Sequence, residues 1–219
     1  MKGEWNERRK DFESFWNGIK MMNVQKFIRE NGWQALKDQL FIEVKEYDCG
    51  LRVLNYNMIE TPRNHPVADE CRGLILDQDA NVVSRSFNRF YNYGEAGTDT
   101  SFSFDNVVVF GKEDGSLVKM YWCPQTNRWE ISTRGTAFAE APHVFGSLDR
   151  QNWSFRDAIL DALNVNEEEF QRNMSLFDKD FTYIGEYVSF MNRIVTLYPE
   201  PKVILLSVRN NLTGEEFLP

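Results

Sequence analysis

Short runs that alternate apolar and polar residues, each closed by a turn signal, constrain this 219-residue chain more than any other feature. Val107 to Lys112 and Ser116 to Trp122 flank Glu113-Asp114-Gly115. Asp-Gly is a strong tight-turn signal, so a hairpin is predicted there. Pro124 to Asn127 then turns the chain into a strand over Arg128 to Thr133. Upstream, Phe41 to Tyr47 and Leu51 to Tyr56 alternate around Asp48-Cys49-Gly50, and Gly73 to Leu76 is followed by Val82 to Phe87. Downstream, strands are predicted over Phe181 to Val188, Arg193 to Tyr198 and Val203 to Val208, with a turn at Asn211 to Gly214.

Helices punctuate this β texture. Asn23 reads as the cap of a segment through Arg29, with Val24, Phe27 and Ile28 on one face and Asn31-Gly32 as its stop. A second runs from Gln34 towards Leu40. Ser154 is a good N-cap for a helix to Leu163, and Asn166 begins another. Glu167, Glu168 and Glu169 suit the positive end of that helix dipole, so the acidic run reads as a helix start. Thr61 to Pro66, with two prolines, reads as loop. With no repeat, linker or low-complexity tract, the chain reads as one α+β unit.

Composition removes several classes. A hydrophobic fraction of 42% is enough for a sizeable core. The net charge of −8 and pI near 4.9 argue against electrostatic coating of nucleic acid, but leave room for a local basic cleft. The longest apolar run, Val203 to Leu206, is far short of the roughly 20 residues of a membrane helix. The first thirty residues lack the apolar core of a signal peptide. Cys49, Cys71 and Cys123 stand apart without a CxxC, which fits a reducing compartment and gives no zinc framework. With two histidines and no G-x-S-x-G elbow, catalysis would rest on Lys, Arg, Asp and Glu.

Chemistry concentrates around Lys112-Glu113-Asp114-Gly115-Ser116-Leu117. A lysine at the end of an apolar strand can serve as a nucleophile when desolvation or neighbouring cations free its amine. The bland alternative is an exposed hairpin with a lysine beside it. Its company favours the first reading: Glu70-Cys71-Arg72-Gly73, then Arg85 and Arg89 interleaved with aromatics up to Tyr91, then Thr133-Arg134-Gly135. Tyr183-Ile184-Gly185-Glu186-Tyr187-Val188 and Met191-Asn192-Arg193-Ile194-Val195 follow.

In this order these segments resemble the phage RNA ligase 1 family of covalent nucleotidyltransferases, from about Leu51 to Gly214; the first fifty residues match it poorly. The resemblance implies an α+β nucleotidyltransferase (ATP-grasp-like ligase) fold with antiparallel sheets flanked by helices. Residues 1–50 would be an N-terminal helical extension leading into the first strand, and 51–219 a partial adenylyltransferase domain. It implies an ATP- and Mg²⁺-dependent enzyme that seals 5′-phosphate to 3′-hydroxyl RNA ends through a lysyl-AMP, with Lys112 as nucleophile. RNA ends, tRNA among them, would be its partners, and the host cytoplasm its location if phage-encoded; no membrane is involved.

By motif match, Arg72 and Arg89 fall near the nucleotide and its phosphates, each with a surface salt bridge as the alternative. Arg134 stands where the family commonly has lysine. Glu186 is expected near the ribose or a metal, half-buried because Ile184 and Val188 share its side of the pleat. Tyr56 and Tyr91 match positions that stack on adenine, with core packing an equal account of each. Asp114 is given a turn-forming role, Gly115 close backbone approach to the ligand, and Glu113 a metal or active-site contact. The family's last two motifs, a carboxylate strand and a lysine pair, find no match, since no lysine follows Lys202. The chain is therefore expected to be incomplete at its C-terminus and weakly active until a complementing segment is supplied. The alternative class is a non-catalytic or split module that binds nucleotide or RNA ends.

Overall fold

The computed structural model describes residues 21–95, 98, 100, 101, 103–143 and 153–218; the first twenty residues of the predicted N-terminal extension lie outside them. The chain opens with helices α1 (Asn23–Asn31) and α2 (Trp33–Leu40). Strands β1 (Ile42–Glu46) and β2 (Arg52–Tyr56) follow, then the short helix α3 (Pro66–Glu70), β3 (Arg72–Leu76) and β4 (Val82–Ser84). These four strands form one antiparallel sheet in the order β1-β2-β3-β4. A second antiparallel sheet is built from β5 (Ser116–Cys123), β6 (Arg128–Thr133), β7 (Phe181–Val188), β8 (Lys202–Asn210) and β9 (Glu216–Phe217), in the order β6-β5-β7-β8-β9. Helices α4 (Phe155–Ala162) and α5 (Glu167–Met174) intervene between β6 and β7. The architecture is α+β with antiparallel sheets and flanking helices, as the sequence indicates.

Each sheet buries one face on helices. Val24 and Ile28 of α1 and Leu36 and Leu40 of α2 pack with Leu54, Leu74 and Leu76 on the first sheet. Ile159, Phe170 and Met174 of α4 and α5 cover Val118, Trp129 and Ile131 on the second. Ser154 and Asn166 cap α4 and α5, each in a reciprocal capping box. The start of α1 differs from expectation. Asn23 is its first helical residue, and the free N–H groups are taken by a distant carboxylate: Glu70 accepts from the Asn23 amide at 3.2 Å and the Val24 amide at 2.8 Å. The loop predicted over Thr61 to Pro66 ends in α3, where Pro66 occupies the first turn without costing a hydrogen bond.

Two predicted strands are absent. Val107 to Lys112 is extended but unpaired, because β5 is flanked by β6 on one edge and β7 on the other. No edge remains for a hairpin across Asp114-Gly115, and Val108, Val109 and Phe110 face solvent. Arg193 to Tyr198 is irregular for a similar reason: the free edge of β7 is occupied by β8, and side chains bind the segment instead.

The remaining faces of the two sheets meet each other. Leu51, Val53, Ile75 and Val83 from the first pack against Tyr121 and Cys123 from the second. Alternate residues of β5 share that face, so Leu117 and Lys119 extend the same row. Lys119 is fully buried, and its Nζ donates to the carbonyl oxygen of Gly73. Burial pulls its pKa from the ordinary 10.5 to about 7. A depressed lysine pKa means that the unfolded chain binds this proton more tightly than the folded one. Between about pH 7 and pH 10 stability therefore rises with pH, by at most about 1.4 kcal/mol per unit from this group. Below about pH 7 both states are protonated and the full cost of the buried ammonium is felt. In urea titrations, Lys119→Met is expected to stabilise the protein near pH 6, with the difference from wild type shrinking towards pH 10.

Candidate active site

The seam between the sheets gives way to two adjoining clefts at the Leu117 end of β5. One, of about 470 Å³, is lined by Arg72, Phe90, Phe110, Lys112, Glu113, Glu186 and Leu206 among others. The other, of about 410 Å³, is lined by Arg72, Lys112, Gly115, Thr133, Arg134 and Glu186 among others. Arg72, Lys112, Leu117 and Glu186 belong to both, so Lys112 stands between the two spaces.

Lys112 lies on the irregular segment before β5, not at a strand end, and its side chain is exposed. Backbone contacts on either side hold the residues after it. The Gly115 amide donates to Glu186 Oε1 at 3.1 Å. The amides of Val195 and Thr196 both donate to Asp114 Oδ2 at 2.6 Å, and those contacts hold the Asp114 carboxyl below its usual range. Asp114 thus ties the lysine loop to the 193–198 segment instead of closing a hairpin turn. Tyr198 completes the tie: its hydroxyl donates to Glu113 Oε2 at 2.8 Å and accepts from the Asp114 amide at 3.1 Å. Ser116 Oγ reaches Asn192 Oδ1 at 3.2 Å.

Glu186 sits on β7, paired with Leu117 and half-buried between the fully buried Ile184 and Val188, as its sequence neighbours implied. Burial raises its pKa, while the Gly115 amide and the charges of Lys112 and Arg72 oppose the rise.

Arg72 reaches the cleft because Gly73 is a β-bulge. Leu54 pairs with Leu74 but Asn55 with Arg72, leaving Gly73 as the extra residue at φ 71°. Such a bulge re-aims the neighbouring side chain. A Cβ on Gly73 would come within 2.9 Å of the Arg134 carbonyl oxygen, so the site also demands glycine for space. The Arg72 guanidinium lies 4.7 Å from the Phe90 ring, and its buried Nη1 has no hydrogen-bond partner. Burial, with Arg134 nearby, disfavours its charge; Tyr56 and Glu186 support it. A half-buried cation short of acceptors is a receptor for an anion.

Arg134 is fixed by Asn55, which accepts from its Nε at 3.3 Å and donates to its carbonyl oxygen at 2.9 Å. Its guanidinium lies 4.5 Å from the Tyr56 ring, and that of Arg89 lies 4.3 Å from the same ring. Tyr56 is buried and borders a neighbouring cleft of about 590 Å³ that also includes Asn55 and Arg134. Two guanidinium groups therefore already lie over the ring proposed to stack on adenine. Arg89 and Tyr91 line none of these clefts. Arg89 is buried against the Tyr56 ring, and the Tyr91 hydroxyl donates to Asp69 at 2.9 Å.

The sequence reading missed Phe90, Phe110, Tyr198, Leu206 and Lys119. The alternation of arginines and aromatics over residues 84–92 did signal Phe90. Leu206, the extra residue of a bulge in β8, carried no such mark. His143 is buried against Phe155 and Tyr187 and lines none of these clefts itself. No group of three His, Cys, Asp or Glu side chains is placed to hold a metal ion among the described residues, and no helix among them is long and apolar enough to cross a membrane.

Against known proteins, the family model described as RNA ligase, of the T4 RNA ligase 1 type, matches residues 70–219. The chain belongs to this RNA ligase family. It is 38% identical over 212 residues to a protein of Autographa californica nuclear polyhedrosis virus whose name proposes a bifunctional polynucleotide kinase/RNA ligase. That match covers 90% of this chain and 29% of the viral protein, so the chain spans under a third of its relative's length. Among solved structures it is similar to an archaeal ATP-dependent RNA ligase, at 15% identity and a TM-score of 0.49, over 90% of this chain and 48% of the other. That likeness is too loose to add to the family match.

Gly115 offers a direct test of how tightly the lysine loop is held. A Cβ there would collide with the carbonyl oxygen of Tyr187, whereas one on Gly135 in the same cleft meets nothing within 4 Å. In chemical denaturation, Gly115→Ala is expected to cost about 1–3 kcal/mol, the range for overpacking a filled site, and Gly135→Ala much less.

Proposed function

We propose that this RNA ligase chain performs nucleotidyl transfer through Lys112. The observation that carries the reading is that a half-buried Arg72 with an unpartnered buried Nη1 lines the same clefts as Glu186, beside a lysine that no hydrogen bond restrains among the described residues. The amine lone pair of Lys112 attacks the α-phosphorus of ATP. A P–N bond forms, the bond to the bridging oxygen breaks, and pyrophosphate carries away the electron pair; the amine proton is lost to solvent. AMP then passes to a 5′-phosphate RNA end, and a 3′-hydroxyl displaces it to seal the strand.

Phosphoryl transfer of this kind depends on positioning and charge neutralisation more than on covalent chemistry by the protein. Arg72 and Arg134 supply fixed guanidinium forks for phosphate oxygens. Arg89, packed on the Tyr56 ring as Arg134 is, steadies that ring and through it Arg134, a role in place of direct nucleotide contact. Gly115, by contributing its amide, keeps Glu186 aimed across the loop.

The donor set fits magnesium in the mode that uses one or two carboxylates and completes its shell with water and substrate phosphates. Glu186 would hold it, and Glu113 stands in the same cleft with one oxygen engaged by Tyr198. When bound, the ion would neutralise phosphate charge.

The test is incubation of the chain with ATP and Mg²⁺, followed by intact mass and peptide mapping. One added AMP mapped to Lys112 is expected, lost in Lys112→Ala and reduced at least tenfold in Arg72→Ala. An adduct on another residue, or one that survives Lys112→Ala, overturns the assignment.

A further inference from the structure

The row of β5 side chains facing the first sheet runs Cys123, Tyr121, Lys119, Leu117. Tyr121 and Cys123 belong to the apolar seam, and Leu117 lines the clefts. Lys119 therefore stands where packing between the sheets ends and the open site begins. An apolar side chain would suit this buried place and spare the desolvation cost that an amine incurs. The sequence instead spends a lysine whose ammonium meets a single acceptor, the Gly73 carbonyl.

That acceptor is not an ordinary ladder carbonyl. Gly73 is the extra residue of the β3 bulge, at positive φ, and the residue before it is Arg72. The same glycine lies against the Arg134 backbone with no room for a side chain. One peptide thus has three neighbours: Lys119 from β5, Arg134 from the end of β6, and Arg72 along its own chain. Across the ladder from Lys119 on β6, the buried Ser132 hydroxyl has no partner, so Ser132 takes no share in the grip on Gly73.

We infer that Lys119 is a positioning residue: by gripping the Gly73 bulge across the sheet seam it sets the placement of Arg72 and Arg134 over the Lys112 cleft. Its contact is with backbone, not with nucleotide, and its effect on catalysis is transmitted through the two arginines. The amine is the one donor that the second sheet extends to the bulge among the hydrogen bonds of the described residues. The catalytic part of this inference rests on the nucleotidyl transfer proposed above; the structural part does not.

Two readouts on the same chain keep these parts separate. Lys119→Met removes the donor and preserves the stem; Lys119→Gln keeps a shorter N–H donor. Amide hydrogen exchange at residues 72–74 and 133–135 is expected to quicken at least tenfold in Lys119→Met, with exchange elsewhere in both sheets no faster than in wild type and the melting temperature not lowered. The single-turnover rate of AMP transfer to Lys112 is expected to fall at least tenfold, in keeping with the penalty for small misplacements of charge-stabilising groups, and to recover in part in Lys119→Gln. Wild-type exchange at both segments in Lys119→Met overturns the proposal, as does a wild-type rate of AMP transfer. Lost activity accompanied by faster exchange throughout both sheets also overturns it, since that marks a merely structural role. If the wild-type chain forms no AMP adduct while local exchange still quickens in Lys119→Met, the grip on the bulge stands and the nucleotidyl-transfer reading falls.

Discussion

Two sheets packed face to face exclude water between them, while a site that handles phosphate needs cations at hand. The bulge at Gly73 reconciles these demands. An unbroken β3 would keep every residue in the ladder with β2 and every second side chain in the apolar seam. Inserting one residue at positive φ breaks that alternation where the seam ends. Arg72 is thereby turned into the clefts while Ile75, two residues beyond the bulge, remains in the seam. The costs are local: a glycine that tolerates no side chain, a guanidinium N–H without a partner, and a lysine buried beside them.

Around this fixed point the lysine loop is held from one side only. Residues after Lys112 are tied by three backbone amides donating to carboxylates, those of Gly115, Val195 and Thr196. Residues before it make no ladder contact and present Val108, Val109 and Phe110 to solvent. The nucleophile of the proposed reaction therefore sits at the boundary between anchored and unanchored chain. Charge-assisted hydrogen bonds of this kind are stronger than neutral ones, so the anchored side defines where Lys112 begins, and its exposed stem supplies the reach.

Local signals carried most of the architecture. Turn residues and period-two runs located β5, β6, β7 and β8 closely, and Ser154 and Asn166 located two helix starts, because each depends on neighbours within a few residues. The two misplaced strands show the limit of such signals. Val107 to Lys112 has strand composition and an Asp-Gly beside it, but pairing is decided by which edges of β5 are free, and both are occupied by segments distant in sequence. Lys119 was invisible for the same reason. On β5 it reads as the polar member of an alternating run, and only the stacking of a second sheet on that face makes it buried. Tyr56 was legible as a site-proximal aromatic, but the guanidinium groups over its ring come from positions 89 and 134, which no local pattern relates.

The charge balance takes on a sharper meaning in this light. A net charge of −8 leaves little general attraction for a polyanion. The cations around Lys112 are instead few, partly buried and held by specific partners: Arg134 by Asn55, Arg72 by the bulge, with Glu186 opposing them across β7. A guanidinium fixed in a low-dielectric cleft gains far more from an approaching phosphate than one free in solvent. On the proposed reading such a site would reward a terminal phosphate or nucleotide that can enter it, and give little to the backbone of a duplex passing over the surface. Under the proposed nucleotidyl transfer that is a useful division: the net negative charge would suppress indiscriminate binding, while the cations held at the sheet seam would select chain ends.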